Sequence, residues 1–130
     1  MANKILTDTN WESRVRSKLG VDAAYLPDTD IQSVDVIDVA EANIIEQVPN
    51  YAELEGTDRI YLETATVCEC AIILCGTMPA RLPQKTQGPH MNFEISINWA
   101  RRRSELEVEQ SKYLGKITDY GTNVPRFSVI

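Results

Sequence analysis

Residues 58–75, DRIYLETATVCECAIILC, carry the longest apolar run of the chain and predict its central helix. Apolar or small side chains recur there at helical spacing in two adjacent stripes, which only two glutamates and one threonine interrupt. Gly56 and a capping Thr57 stand before the helix, and Gly76 stands beyond its end. We expect this helix to be the most buried element of the fold. The stripes consist of Ile60, Val67, Ala71 and Leu74, and of Tyr61, Ala65, Cys68, Ile72 and Cys75.

A short helix is expected near the start of the chain. Thr9 and Glu12 match a Thr-x-x-Glu capping box, in which the threonine caps the backbone and the glutamate reaches back. The helix should continue to about Leu19 and stop at Gly20 in the left-handed conformation.

A longer helix is expected over residues 31–48. Pro27 and the cluster Asp28-Thr29-Asp30 precede it, and Pro49 ends it. Its apolar residues recur at helical spacing, whereas its carboxylates occupy the opposite, solvated face. The apolar set is Val34, Ile37, Ala40, Ile44 and Val48, and the solvated set is Asp35, Asp38 and Glu46.

A fourth helix is expected over residues 99–114, with Gly115 as its stop. Residues 101–103 are three consecutive arginines in its first turn, where cations oppose the helix dipole by several tenths of a kcal/mol each. We therefore expect an acidic partner near them. The narrow apolar stripe of this helix consists of Trp99, Leu106, Tyr113 and Leu114.

The segment between the last two predicted helices lacks a helical pattern. Residues 77–91 form a long, proline-rich loop, and residues 92–98 alternate polar and apolar side chains as a strand does. Because no second strand is evident in the chain, we expect 77–98 to project and to pair with another chain by strand addition. The alternative is a local hairpin between part of 84–91 and 92–98.

The sequence thus predicts a mainly α fold, a small bundle of about four helices with a projecting loop or short β segment at 77–98. We expect residues 1–117 to form this helical domain and residues 118–130 to form an extended tail. Phe127 and Val129 alternate with polar residues near the apolar end of the tail, so we expect the tail to dock on another protein.

The pattern of reactive side chains argues against an enzyme. His90 is the only histidine and lies in a loop without a nucleophile near it. Cys68 and Cys70 point to nearly opposite sides of a helix, which disfavours a metal site, and the cysteines are expected to be small core residues. Phosphate-binding and dinucleotide motifs are missing, so no cofactor is expected. The sequence also shows no signal peptide and no run long enough to span a membrane.

Charge is distributed unevenly along the chain. Residues 19–58 contain ten carboxylates and no lysine or arginine, whereas residues 81–116 contain seven basic residues and four glutamates. Two solvated faces are one interpretation. The other is a subunit with an acidic and a basic side, which attracts copies of itself head to tail and forms rings or filaments. The short arginine run does not predict sequence-specific DNA binding.

The order of these elements resembles the head-to-tail connector (adaptor) proteins of tailed bacteriophages and prophages. The resemblance covers roughly residues 9–117 and is based on the helix–loop layout and on the stretches LPDTDI (26–31), AEANIIEQVPNY (40–51) and LPQKTQGP (82–89). It implies a ring, usually of twelve subunits, in the neck of the virion after assembly in the host cytoplasm. Such a ring docks on the portal protein, extends the DNA channel, helps to retain the genome and presents a surface to the next neck or tail component.

Two sets of residues are predicted to make these contacts. The predicted portal-binding set is Val124, Pro125, Arg126, Phe127, Ser128, Val129 and Ile130. The predicted subunit interface is Phe93, Ile95, Ile97, Arg101, Arg102, Arg103, Asp35 and Asp38.

Two points stay open. The acidic region 22–58 faces either the DNA channel or a neighbouring subunit. The alternatives to a connector are another phage neck or tail-completion protein and a bacterial helical binding module.

Overall fold

The computed structural model describes residues 3–81 and 98–117, and these residues are mainly helical. The prediction of a mainly α fold is confirmed, and the described residues contain no strand. The strand pattern at 92–97, most of the projecting loop and the tail 118–130 lie outside the described residues. The helices are α1 (Trp11–Leu19), α2 (Asp28–Ile31), α3 (Val39–Gln47), α4 (Gly56–Cys75), α5 (Met78–Arg81) and α6 (Trp99–Lys116), with a π-helical turn (Val34–Asp38) leading into α3 and a 3-10 turn at Tyr51–Glu53.

Helix α4 is the centre of the bundle, as the sequence predicts. It packs against α6, α1 and α3, and ten of its residues are buried, including all three cysteines. The prediction that Ile60 belongs to a buried stripe is wrong, because 57% of this residue is exposed. Leu62, which was not in either stripe, is fully buried. The first turn of α4 packs on the N-terminal segment through Arg59, whose Nη2 donates to the carbonyl oxygen of Ile5 at 2.8 Å, and this contact sets which face is covered.

The predicted uninterrupted helix over 31–48 is wrong. The backbone of Ser33 is extended, and its hydroxyl accepts a hydrogen bond from the N–H of Asp35 at 3.2 Å, which starts a new helical segment. The π turn that follows holds more residues per turn than an α-helix and so changes the phase of the side chains. As a result Val34, expected in the core, is 60% exposed, while Val36 is buried. Helix α3 then ends before Pro49, as expected.

Helix α1 begins differently from the prediction and ends as predicted. Asn10 precedes it in the left-handed conformation, and no side chain caps it, so the predicted capping box of Thr9 and Glu12 is wrong. Glu12 instead accepts a 2.6 Å hydrogen bond from Nε2 of Gln32, which draws its carboxylate away from the helix end. Gly20 has a φ of +74° and donates its N–H to the carbonyl oxygen of Arg16, which confirms the predicted stop.

Helix α6 starts at its predicted position and continues past its predicted end. The side chain of Asn98 accepts a hydrogen bond from the N–H of Arg101 at 2.9 Å and caps the start. Gly115 lies inside the helix, so the predicted stop is wrong. Gly115 does not have the positive φ that glycine commonly adopts at a helix end. The predicted apolar stripe is buried at Trp99, Leu106 and Leu114.

A carboxylate fixes the N-terminal segment to the bundle. Glu41 is buried on α3 and accepts hydrogen bonds from the backbone N–H groups of Lys4, Ile5 and Leu6 at 2.9, 2.8 and 3.0 Å. Ile5 and Leu6 are themselves in the core. Because the carboxylate is supplied with three donors, its burial is compensated, and residues 4–6 are held against α3 without a helix or strand of their own.

A second polar link joins three helices in the interior. Gln110 of α6 is buried and donates to Glu69 of α4 at 2.5 Å. The other carboxylate oxygen of Glu69 accepts from Asn43 of α3 at 2.8 Å. The chain of three side chains fixes the relative position of α3, α4 and α6, which also positions the surfaces described next.

Candidate interaction surfaces

Two of the three predicted interface arginines are exposed on the surface of α6. The side chains of Arg101 and Arg103 are 76% and 57% exposed. Each forms an ion pair with a glutamate four residues further along the helix, Arg101 with Glu105 at 3.5 Å and Arg103 with Glu107 at 3.3 Å. Exposed pairs of this type are worth about 0.3–0.5 kcal/mol, so both arginines can change partner at little cost.

The third arginine has an intramolecular role. Nη1 of Arg102 donates to the carbonyl oxygens of Lys18 and Leu19, each at 3.2 Å. These are the last carbonyls of α1, where the helix dipole is negative and a cation is favourable. The expected acidic partner is present as Glu105, and the end of α1 supplies a further partner that the sequence did not reveal.

The predicted interface aspartates lie on the π turn. Asp35 is exposed and Asp38 is half-buried. Neither forms an ion pair within the described ranges 3–81 and 98–117, whereas two other carboxylates of the acidic region do: Asp28 pairs with Arg16 at 2.7 Å and Asp30 with Arg81 at 2.5 Å. The acidic region is therefore partly neutralised, and the π turn is one place where its charge remains available.

An open groove adjoins the π turn. Its volume is about 920 Å³, and it lies between the N-terminal segment, the start of α1 and the π turn. Its lining includes no lysine, arginine or histidine. Below we call it the acidic groove; it is lined by Asn3, Leu6, Thr7, Asp8, Thr9, Asn10, Trp11, Glu12, Gln32, Val34, Ile37 and Asp38.

Helix α1 separates the acidic groove from the arginines. Trp11 and Glu12, at the start of α1, line the groove together with Asp38, whereas Arg102 binds the carbonyls of Lys18 and Leu19 at its other end. The eight residue steps from Trp11 to Leu19 correspond to about 12 Å along the helix axis. Asp38 of the predicted acidic set and Arg102 of the predicted basic set therefore lie at opposite ends of one helix.

The cysteines are buried, as the sequence predicts, and their thiols are protonated at neutral pH. Burial raises the pKa of Cys68 to about 12, and it also raises the pKa values of Cys70 and Cys75. A thiol that stays protonated is a poor nucleophile and a poor metal ligand. No group of three or more histidine, cysteine, aspartate or glutamate side chains within residues 3–81 and 98–117 could hold a metal ion.

Lys18 lies beside Cys68 and forms an ion pair with Glu109 of α6. Burial is the largest influence on the pKa of Lys18 and would lower it. The hydrogen bond to Glu109 and the electrostatic effects of Cys68, Glu109 and Tyr113 together outweigh burial, and the pKa is raised. The pair thus supports the packing of α1 on α6. None of the described helices combines the length and the apolar character that a membrane span requires.

Several predicted contact residues fall outside the described ranges. These are the strand-pattern residues Phe93, Ile95 and Ile97, and the tail residues 124–130; His90 also lies outside. Conversely, Asp8, Trp11 and Glu12 belong to the acidic groove but were not among the predicted contact residues. Nothing in the sequence pairs residues 3–12 with residues 32–38, so only the fold brings them together.

Comparison of the chain with protein-family models, with curated proteins and with solved structures yields no match. These comparisons therefore do not test the resemblance to head-to-tail connectors, which stays an expectation from the sequence.

Proposed function

We propose that this protein is a structural subunit of a ring between the portal and the tail of a bacteriophage, a head-to-tail connector that extends the DNA channel and helps to retain the genome. The observation that carries the proposal is that a basic turn and an acidic groove lie at opposite ends of α1. Arg102, flanked in the chain by the exposed Arg101 and Arg103, binds the last carbonyls of α1, and Asp38 lines the groove at its start. Complementary patches at two different sites of one subunit support a head-to-tail contact, which closes into a ring when the rotation between subunits allows it.

The helical bundle supports the proposal in a second way. A ring subunit needs a rigid body that holds its two contact patches at a fixed angle. The link from Gln110 through Glu69 to Asn43, and the binding of Arg102 to the end of α1, provide such rigidity. The proposed chemistry is assembly rather than catalysis, with a second copy and the portal protein as partners.

The carboxylates of residues 22–58 have two roles in this proposal, and ionic strength distinguishes them. Charges that contact a neighbouring subunit make ring assembly weaker as the salt concentration rises, because salt screens the attraction. Charges that line the channel repel DNA phosphates and leave assembly unchanged. Asp28 and Asp30 are paired within the subunit, and the π turn is one part of this region whose charge remains available for the neighbour contact.

The test is a mass measurement under native conditions of the full-length chain, alone and mixed with the portal protein of the same phage. We expect a monomer or small oligomer alone and a multi-subunit ring on the portal. A chain that stays monomeric and unbound in the presence of the portal contradicts the proposal and favours a helical binding module of another kind.

The C-terminal tail has its own test. Deletion of residues 124–130 should leave a folded subunit, with the helical circular dichroism of the full chain, that no longer binds the portal. A truncated chain that binds the portal as well as the full chain removes the tail from the proposal but leaves the ring untouched.

A further inference from the structure

We infer that the acidic groove is the receptor for the start of α6 of a second copy of this chain, with Arg101, which is more exposed than Arg103, as the inserted side chain. This docking mode specifies the subunit contact of the ring proposed above and depends on the same self-association. It names a partner surface that the sequence pattern alone did not indicate, since most of the groove lies outside the acidic region 22–58.

The carboxylates that line the groove favour binding of a cation. Asp8 and Asp38 border it, and Glu12 is only 8% exposed. Three carboxylates without a lysine, arginine or histidine among the lining residues give the groove a negative potential, which the low-dielectric walls focus. An anionic ligand would be repelled, whereas a guanidinium group is attracted.

The shape of the groove suits arginine more than a small ion. Val34 is 60% exposed and contributes apolar surface, whereas Trp11 and Ile37 are buried. An arginine packs its alkyl stem on such surface and still reaches carboxylates at the border. The volume of about 920 Å³ is large enough for such a side chain.

The α6 arginines are suitable donors. Arg101 and Arg103 project from the surface, and their present partners Glu105 and Glu107 are themselves more than half exposed. Arg102 between them is bound to the end of α1 and holds the first turn in place. Arg101 and Arg103 lie on either side of Arg102 around the helix, so the turn presents Arg101 to the groove on a fixed support, which lowers the entropic cost of docking.

A single copy offers both halves of this contact in separate places. The groove lies at the start of α1 and the arginines lie near its end, about 12 Å apart along the axis. The contact is thus heterologous: the groove of each copy is filled by the next copy, and the chain of contacts continues around a ring.

Two full-length variants test the contact. Asp8→Asn with Asp38→Asn removes the border charges of the groove and keeps the arginines. Arg101→Gln with Arg103→Gln removes the arginines and keeps the groove. All four positions are exposed or half-buried, and circular dichroism with urea unfolding verifies that each variant is folded.

The measurement is a magnetic resonance titration at low ionic strength. The 15N-labelled arginine variant, with its groove intact, is titrated with the unlabelled groove variant, which has intact arginines. We expect the Trp11 indole N–H and the amides of residues 8–12 and 34–38 to shift. The control titration uses unlabelled arginine variant as the partner, and its dissociation constant should be at least roughly tenfold higher, as expected for loss of close charge pairs.

The outcomes separate this inference from the proposed function. Shifts that are absent up to millimolar partner, or equal in the control titration, overturn the groove contact. A groove variant that forms rings on the portal like the natural chain overturns it as well, while the connector function stands. Shifts in the groove without any ring on the portal support the contact and contradict the connector function.

Discussion

Arg102 donates a hydrogen bond from its guanidinium to the carbonyl oxygen of Leu19, the last residue of α1, at 3.2 Å. This contact explains how three cations are tolerated in the first turn of α6. They oppose the dipole of their own helix, but one of them binds the negative end of α1. The basic turn therefore stabilises the fold through Arg102 and exposes Arg101 and Arg103 on the surface.

Replacement of Arg102 should accordingly cost more stability than replacement of its neighbour. Arg102→Ala leaves the last carbonyls of α1 without this donor, and we expect a loss of about 1–2 kcal/mol in the free energy of unfolding. Arg101→Ala removes an exposed pair worth roughly 0.3–0.5 kcal/mol and is the matched control. Urea unfolding followed by circular dichroism measures both. Equal losses for the two variants would show that the contact with α1 does not stabilise the fold.

Glu41→Gln should release the N-terminal segment. The amide group replaces one acceptor oxygen with a donor that faces the backbone N–H groups of residues 4–6, so at least one charge-assisted hydrogen bond is lost. We expect a destabilisation of about 2 kcal/mol, since hydrogen bonds to charged groups are worth about 1.5–3 kcal/mol each.

The control for this change is Glu46→Gln on the exposed face of α3. Hydrogen exchange locates the effect, because the amides of residues 4–6 should lose protection in Glu41→Gln and keep it in Glu46→Gln. Unchanged protection of these amides in Glu41→Gln would mean that the carboxylate is not what holds the segment.

Replacement of a glycine by alanine should change the stability of the protein in opposite directions at Gly20 and at Gly115. Gly20 has a φ of +74°, so Gly20→Ala forces a side chain into the left-handed region and should cost about 1 kcal/mol. Gly115 lies inside α6, with no atom within 4 Å of an added Cβ, so Gly115→Ala should stabilise by about 0.5–1 kcal/mol. Thermal unfolding of both variants gives the two signs, and destabilisation by Gly115→Ala would indicate that α6 ends before that residue.

Alkaline pH should destabilise the protein through Cys68. Burial raises the pKa of this thiol from 9.0 to about 12. The unfolded chain therefore loses the proton first, so the stabilising effect is complete below pH 9 and falls as the pH rises towards 12. The loss approaches about 1.4 kcal/mol for each pH unit in that window.

Comparison with Cys68→Ala isolates this contribution from the other groups that titrate at high pH. The variant should be less stable at pH 7, because it loses packing in the core, but its free energy of unfolding should fall less steeply above pH 9. Equal slopes for the two proteins would place the alkaline sensitivity elsewhere.

The sequence predicts those parts of the fold that depend on local pattern. The two stripes of α4 are correct at most positions because a helix buried on most sides needs apolar residues at that spacing. The buried positions are Val67, Ala71 and Leu74 in the first stripe and Ala65, Cys68, Ile72 and Cys75 in the second. The stop of α1 at Gly20 is also correct, since only its backbone conformation is needed there. Burial of the cysteines followed from the same helical phase.

The errors arise where distant contacts override local preference. Thr9 and Glu12 have the spacing of a capping box, but Glu12 binds Gln32, twenty residues away. The π turn shifts the phase between Val34 and Val36, and a hydrophobic pattern does not encode such a shift. Glu41 did leave a signal, because it occupies the helical position between Ile37 and Ile44 on the buried stripe, where a carboxylate requires buried donors.

The candidate surfaces were predictable to different degrees. The arginine run and the aspartates of the π turn are visible as charge in the sequence, whereas the separation of the two sets by α1 is not. The acidic groove combines an N-terminal segment with residues 32–38, and its existence depends on the three hydrogen bonds of Glu41 that hold the segment in place.

The π turn at Val34–Asp38 has a consequence for how homologous chains could diverge. Deletion of one residue there would allow α-helical geometry and rotate the earlier residues of the turn by about 100° around the axis relative to α3. Val36 would then leave its buried position, while Ala40 and Ile44 on α3 would keep theirs. An insertion or deletion in this turn would thus change which side chains border the groove, but only with compensating changes at the core position of Val36.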